Sequence, residues 1–192
     1  MSLRPRITII AGSTRSKSSS LCVATELERI YTVAGASPTL LALRDIPDAA
    51  LTHREIHNPP AAVTEFLRPA LDCDGLLFVT PEYNGGMPGM LKLFIDLLPF
   101  PGALMHKPVA MVGVAAGNWG ALRPIEHLSA ILIYRQAMIY PGHVFIPNCN
   151  AALDHAALRV THADTLARLE KQAQGFIKFV TSLHASGHAP KA

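Results

Sequence analysis

Cysteine is scarce in this sequence: Cys22, Cys73 and Cys149 are the only three in 192 residues. A scattered, odd-numbered set builds neither a disulfide framework nor a paired-cysteine zinc site within one chain, so all three are expected as small core or helix-face residues. Charge is sparse too, at 16% of residues, and 17 Lys and Arg against 14 Asp and Glu leave a net +3 without a run of consecutive basic residues. The absence of a phosphate-tracking stripe argues against a dedicated nucleic-acid binder. The uncharged stretch from Gln136 to Leu153 is broken by Pro141, Pro147, Asn148 and Asn150, so no membrane span is expected. The apolar run Ile7 to Ala11 is too short for a signal-peptide core, which points to a cytoplasmic protein. Neither G-x-x-x-x-G-K-[ST] nor G-x-G-x-x-G occurs, which disfavours a triphosphate loop and a Rossmann dinucleotide mode.

What is present is an ordinary globular composition, 49% hydrophobic with 15 Pro and 13 Gly, and no internal repeat. One domain over residues 1–184 is expected, with 185–192 as a frayed tail. Apolar runs alternate with helical patterns throughout. Strands are expected at Arg6–Ala11, Pro38–Leu43, Gly75–Thr80, Pro108–Ala115 and, bent at Pro141-Gly142, Met138–Ile146. Helices are expected at Ser19–Ala34, Ala61–Asp72, Gly89–Leu98, Ala121–Arg135 and Asp154–His184, while Arg44–Pro60 reads as a polar loop. The alternation predicts an α/β, flavodoxin-like three-layer sandwich around a five-stranded parallel sheet of order 2-1-3-4-5. The helix Met90–Leu98 is apolar nearly all round, which points to a subunit interface or a deep core position.

In such a sheet, ligands sit beyond the carboxyl ends of the strands where the strand order reverses. After the first strand, Gly12-Ser13-Thr14-Arg15-Ser16-Lys17-Ser18-Ser19-Ser20 sets hydroxyls, a guanidinium and a helix N-terminus together. One hydroxyl suffices for a cap, so the surplus favours phosphate binding. After the third strand, Thr80-Pro81-Glu82-Tyr83-Asn84-Gly85-Gly86-Met87-Pro88-Gly89 has stiff ends and a bare middle. Gly85 and Gly86 permit positive φ and a close approach to a planar heteroaromatic ring.

Together with Pro88-Gly89-x-Leu91-Lys92-x-x-Ile95-Asp96, these segments resemble the NADPH-dependent FMN reductase family, with its quinone, chromate and azo-dye reductases. The resemblance implies FMN as cofactor, with NADPH, or NADH, as electron donor. It implies Ser13, Thr14, Arg15, Ser18 and Ser20 around the phosphate, with the Leu21 N–H as a further donor. Pro81, Glu82, Tyr83, Asn84 and Gly85 would flank the isoalloxazine. Ala116, Gly117, Asn118 and Gly120 would lie near its pyrimidine edge. It also implies a homodimer or homotetramer through the Met90–Leu98 helix. Trp119 departs from the small residue expected in the third loop, and could stack on an aromatic substrate, cover a subunit seam or serve as a packing anchor.

With the chemistry on a flavin, no catalytic acid or base is required, and no dyad or triad is recognisable. The expected reaction is ping-pong hydride transfer from NADPH to FMN and then to a small quinone-like, azo or metal-ion acceptor. A reductase that releases reduced FMN to a partner monooxygenase, and a non-enzymatic electron carrier, are the alternatives. The carrier fits less well, because docking carriers are acidic whereas this chain has a pI near 8.9. His53 and His57 stand at i, i+4, but Glu55 is misplaced for H-E-x-x-H and Pro59-Pro60 ends any helix, so no metal site is expected.

Overall fold

Apolar runs bounded by Gly and Pro become the strands. The computed structural model describes residues 4–52 and 58–187. The centre of the sheet is β1 (Arg6–Ala11), β3 (Gly75–Pro81) and β4 (Pro108–Val114), and every residue of β3 and β4 is buried. β2 (Ser37–Ala42) lies along one edge and alternates toward solvent. All pairings within this sheet are parallel, with Ile9 opposite Leu40 and Leu77, and Phe78 opposite Met111. The order 2-1-3-4-5 is that of a flavodoxin-like sheet.

Because successive side chains on a strand face opposite ways, each strand feeds two cores. Ile9, Leu77 and Val112 pack with Val23, Leu27 and Tyr31 of α1 (Ser19–Val33) and with Phe176 and Val180 of α7 (Ala163–Ala185). Ile10, Phe78 and Met111 pack with Leu67 of α3 (Ala61–Leu71), Phe94 of α4 (Gly89–Leu97) and Leu128 of α5 (Leu122–Tyr134). Two helix ends on this second side are closed by buried cations. Lys107 Nζ donates to the carbonyls of Ala70 and Leu71 at 2.9 and 2.7 Å, at the end of α3. Arg135 donates to Ile95, Leu98 and Pro99 at 3.2, 3.2 and 2.9 Å, at the end of α4.

Three expectations are corrected. The fifth strand is two short segments, β5 (Met138–Ile139) and β6 (Val144–Ile146), both paired to β4, because Pro141 has no N–H to continue the ladder. The polar stretch after β2 holds a 3₁₀ turn (Leu43–Asp45) and a one-turn helix α2 (Ala49–Thr52), with Leu43 and Ala50 buried. The final helix begins at Ala163, not Asp154. Before it come a one-turn helix α6 (Cys149–Ala152) and a hairpin of β7 (Leu153–Asp154) and β8 (Arg159–Val160). The Asp154 carboxylate accepts the Ala156 and Ala157 N–H groups at 2.9 and 3.0 Å, and Leu158 adopts φ 52, which turns the chain out of a helical path. His53 and His57 lie outside the described residues, as does the tail from 188. No described helix is long and apolar enough to cross a membrane.

Candidate active site

The C-terminal ends of β1, β3 and β4 open onto one cleft of about 220 Å3. Its first wall begins at Gly12, whose N–H donates to the Val79 carbonyl at 2.9 Å. A Cβ at Gly12 would stand 2.9 Å from that same oxygen, so only glycine lets β1 leave the sheet this close to β3. Ser18 then caps α1: its Oγ accepts the Leu21 N–H at 3.2 Å and shares a hydrogen with Ser20 Oγ at 2.8 Å. The Ser19 and Ser20 N–H groups, at the positive end of the helix, have no intrahelical acceptor. Thr14, Arg15, Ser16 and Lys17 are exposed around them.

The second wall is a two-residue turn. Tyr83 and Gly86 exchange backbone hydrogen bonds of 2.8 and 3.0 Å, and Asn84 and Gly85 both take positive φ, 51° and 75°. Asn-Gly is the preferred pair for such a turn. The left-handed pair is therefore Asn84 and Gly85, rather than Gly85 and Gly86 as the sequence suggested. Tyr83 OH lies 2.7 Å from Ser13 Oγ, and Ser13 Oγ also accepts the Arg15 N–H at 3.2 Å, so the two loops are fastened to each other.

The third wall carries Val114, Ala115 and Ala116. Ala116 to Trp119 are all exposed, and Trp119 at 68% exposure is no packing anchor within this chain. A further wall comes from α6, with Cys149 and Asn150. Cys149 N donates to Ala115 O at 3.0 Å, Asn148 N donates to Gly117 O at 3.1 Å, and the Cys149 thiol lies 3.6 Å from Ser19 Oγ.

Of the residues singled out in the sequence, Ser13, Arg15, Ser18, Pro81, Glu82, Tyr83 and Ala116 line the cleft together. Thr14, Asn84, Gly85, Gly117, Asn118, Trp119 and Gly120 sit on the same loops but not in its lining. The Ser20 hydroxyl and the Leu21 N–H are engaged with Ser18. Sequence reasoning missed Ser19, Val114, Ala115, Cys149 and Asn150 as lining residues. Cys22, inside α1, is pushed up to about 11 by burial and then by the neighbouring carboxylates of Glu26 and Asp154, which makes it a poor nucleophile. Among the described residues, no three His, Cys, Asp or Glu side chains gather as a metal site.

A parallel sheet of order 2-1-3-4-5, opening a serine-rich helix N-terminus and a bare glycine turn into one cleft, defines a flavodoxin-like α/β protein. The sequence profile of the NADPH-dependent FMN reductase family matches residues 5–151, and the chain belongs to that family of oxidoreductases. It is 32% identical over 186 residues to a quinone reductase of Escherichia coli K12, covering 94% of this chain and 97% of that one. It is 36% identical over 102 residues to an NAD(P)H-dependent FMN reductase of Pseudomonas aeruginosa, covering 49% and 53%. Among solved structures, the flavoenzyme NAD(P)H:(acceptor) oxidoreductase of Paracoccus denitrificans shares the fold with a TM-score of 0.76 at 23% identity, covering 96% of this chain and 99% of that one.

Proposed function

We propose that this chain is an FMN-containing, NADPH- or NADH-dependent reductase of a small quinone-like, azo or metal-ion acceptor. The observation that carries this reading is the fastening of the serine-rich helix start to the glycine turn through Ser13 and Tyr83. That contact sets an anion cradle and a flat, bare surface at fixed separation, which fits a phosphate joined to a planar ring. FMN, when bound, supplies the redox chemistry, taking hydride from a nicotinamide and passing electrons on.

The protein's own work is binding and orientation. The Ser19 and Ser20 N–H groups, the Ser13 and Ser18 hydroxyls and the Arg15 guanidinium surround the phosphate, with Thr14 at the rim. The Ser20 hydroxyl contributes by holding Ser18 in place. Pro81 to Gly85 bear on the ring, with Gly85 adding no side chain to keep it away. Ala116, Gly117, Asn118 and Gly120 lie where their backbone can face the ring's pyrimidine edge, and the exposed Trp119 offers a stacking surface to an aromatic substrate. Donor and acceptor use the same mouth in turn, which gives ping-pong kinetics. A second copy of the chain covers the exposed apolar ground beside α4, forming a homodimer or homotetramer.

The test is the absorption spectrum of freshly purified protein from the near ultraviolet to the blue, before and after anaerobic NADPH. A flavin spectrum that bleaches supports a bound, reducible cofactor. Colourless protein that oxidises NADPH only after FMN is added favours release of reduced flavin instead. Colourless protein that takes up no FMN refutes the reading. Arg15→Ala should weaken FMN binding about tenfold or more by removing a charge-assisted phosphate contact, as read by fluorescence titration.

A further inference from the structure

On the side of the glycine turn, the proposed site leaves an arginine without a role. Arg123 stands in the first turn of α5 with its side chain 61% exposed. Its nearest carboxylate is Glu82 Oε1, 3.6 Å from Nη1 and too distant for a hydrogen bond. An exposed pair at that separation adds little to stability, so fold maintenance is a poor account of the residue. Position is the better one. The Arg123 stem lies over the flavin-loop turn, with Cδ 3.9 Å from where a Cβ on Gly85 would stand. One turn further along α5, His127 Nδ1 lies 3.5 Å from the corresponding point at Gly86. Glu82, whose side chain is only 19% exposed, is the one acidic partner within 4 Å of Arg123 among the described residues, and it is itself part of the cleft wall.

We infer that Arg123 is a specificity-determining residue that receives an anionic group, phosphate or sulfonate or carboxylate, on the molecule that docks at the glycine turn. The inference rests on the reading of the cleft as an FMN site. With Arg15 directed to the cofactor phosphate on the opposite loop, Arg123 is the arginine beside the glycine turn that remains for the second substrate. A planar guanidinium with its hydrogen-bond donors uncommitted suits a forked oxyanion, and Glu82 holds it beside the turn without satisfying it. The anionic group has two sources: the 2′-phosphate that distinguishes NADPH from NADH, or an acid group on the acceptor.

The experiment compares wild type, Arg123→Gln and Arg123→Lys, each saturated with FMN, by calorimetric titration with four probes. These are NADP+ and NAD+, and a sulfonated naphthoquinone and its neutral parent. For one pair, Arg123→Gln should lower affinity about tenfold for the member that bears the extra phosphate or sulfonate while the member lacking that group changes less than about twofold, and Arg123→Lys should recover part of the loss. The probe pair that responds identifies the source. All four affinities unchanged, or both members of each pair weakened alike, overturns the assignment. Failure of the underlying reading shows separately, as wild-type protein that takes up no FMN in the preceding titration, and that result brings down both.

Discussion

Tyr83 and Ser13 are 70 residues apart in sequence, and their hydroxyls meet at 2.7 Å across the mouth of the cleft. Neither loop is held to the other by a strand pairing at that point, so the contact sets their spacing. Tyr83→Phe and Ser13→Ala should each weaken FMN binding by about 1 kcal/mol, and the double variant no more than the worse single one. Additive losses in the FMN titrations would mean that the two hydroxyls act independently. At the far end of the sheet, Asp74 accepts from Arg6 N at 2.7 Å and from Arg6 Nη2 at 2.9 Å. Burial alone would raise this carboxyl, but the Arg6 hydrogen bonds and charge, with His184 nearby, outweigh it and hold the group below its ordinary value. A carboxyl lowered on folding contributes stability that is present above its unfolded value, near ~3.9, and is lost as pH falls through the folded one. The urea-midpoint gap between wild type and Asp74→Asn should therefore be widest near neutral pH and close on acidification. A gap independent of pH would exclude the ion pair as its cause.

At the scale of the element, the helix ends carry most of the buried polar chemistry. Burial pulls the Lys107 ammonium below its ordinary value, yet it holds the last carbonyls of α3. Lys107→Met keeps the stem's volume and leaves those carbonyls without their donor, so it should cost about 2–3 kcal/mol in urea unfolding. Lys92→Met removes an exposed i,i+4 pair with Asp96 and should cost less than about 0.5 kcal/mol. An equal effect of the two would show that the buried cation is replaceable. The central strands were legible in the sequence because β1, β3 and β4 are unbroken apolar runs, and the first two loops because their Ser, Gly and Pro residues have local chemistry. The segment from Cys149 to Val160 was not. Asp154-His155-Ala156-Ala157-Leu158 looks helical by propensity. Its turn is imposed by the Asp154 carboxylate locally and by Glu26 at a distance, which takes Arg159 Nε at 2.9 Å and Val160 N at 3.3 Å. Cys149 and Asn150 enter the cleft only through that tertiary path, so no spacing in the sequence announced them.

For the whole molecule, the proposed homo-oligomer calls for a surface on which a second copy would sit. A groove of about 570 Å3 between α4 and α5 is lined by Ile95, Phe100, Ile131 and Tyr134, with Lys92 and Asp96 among its charged residues. Phe100 and Tyr134 stack at 6.2 Å between ring centroids while remaining 59% and 73% exposed. α4 itself buries Leu91, Phe94, Ile95 and Leu97 inward, so the sequence's uniformly apolar helix is part core and part groove wall. Sedimentation at micromolar concentration should give a dimer or tetramer, and Tyr134→Glu should shift it toward monomer; a wild-type monomer there would rule this surface out.

The prolines of the sheet have a consequence at this same scale. Pro38 lies in β2 on one edge, and Pro141 interrupts β5 and β6 on the other. Neither edge offers an unbroken row of N–H donors to a foreign strand, so the sheet is a poor template for edge-to-edge growth into fibrils. The edges therefore discourage open-ended growth and leave the helical flank as the surface for the proposed self-association.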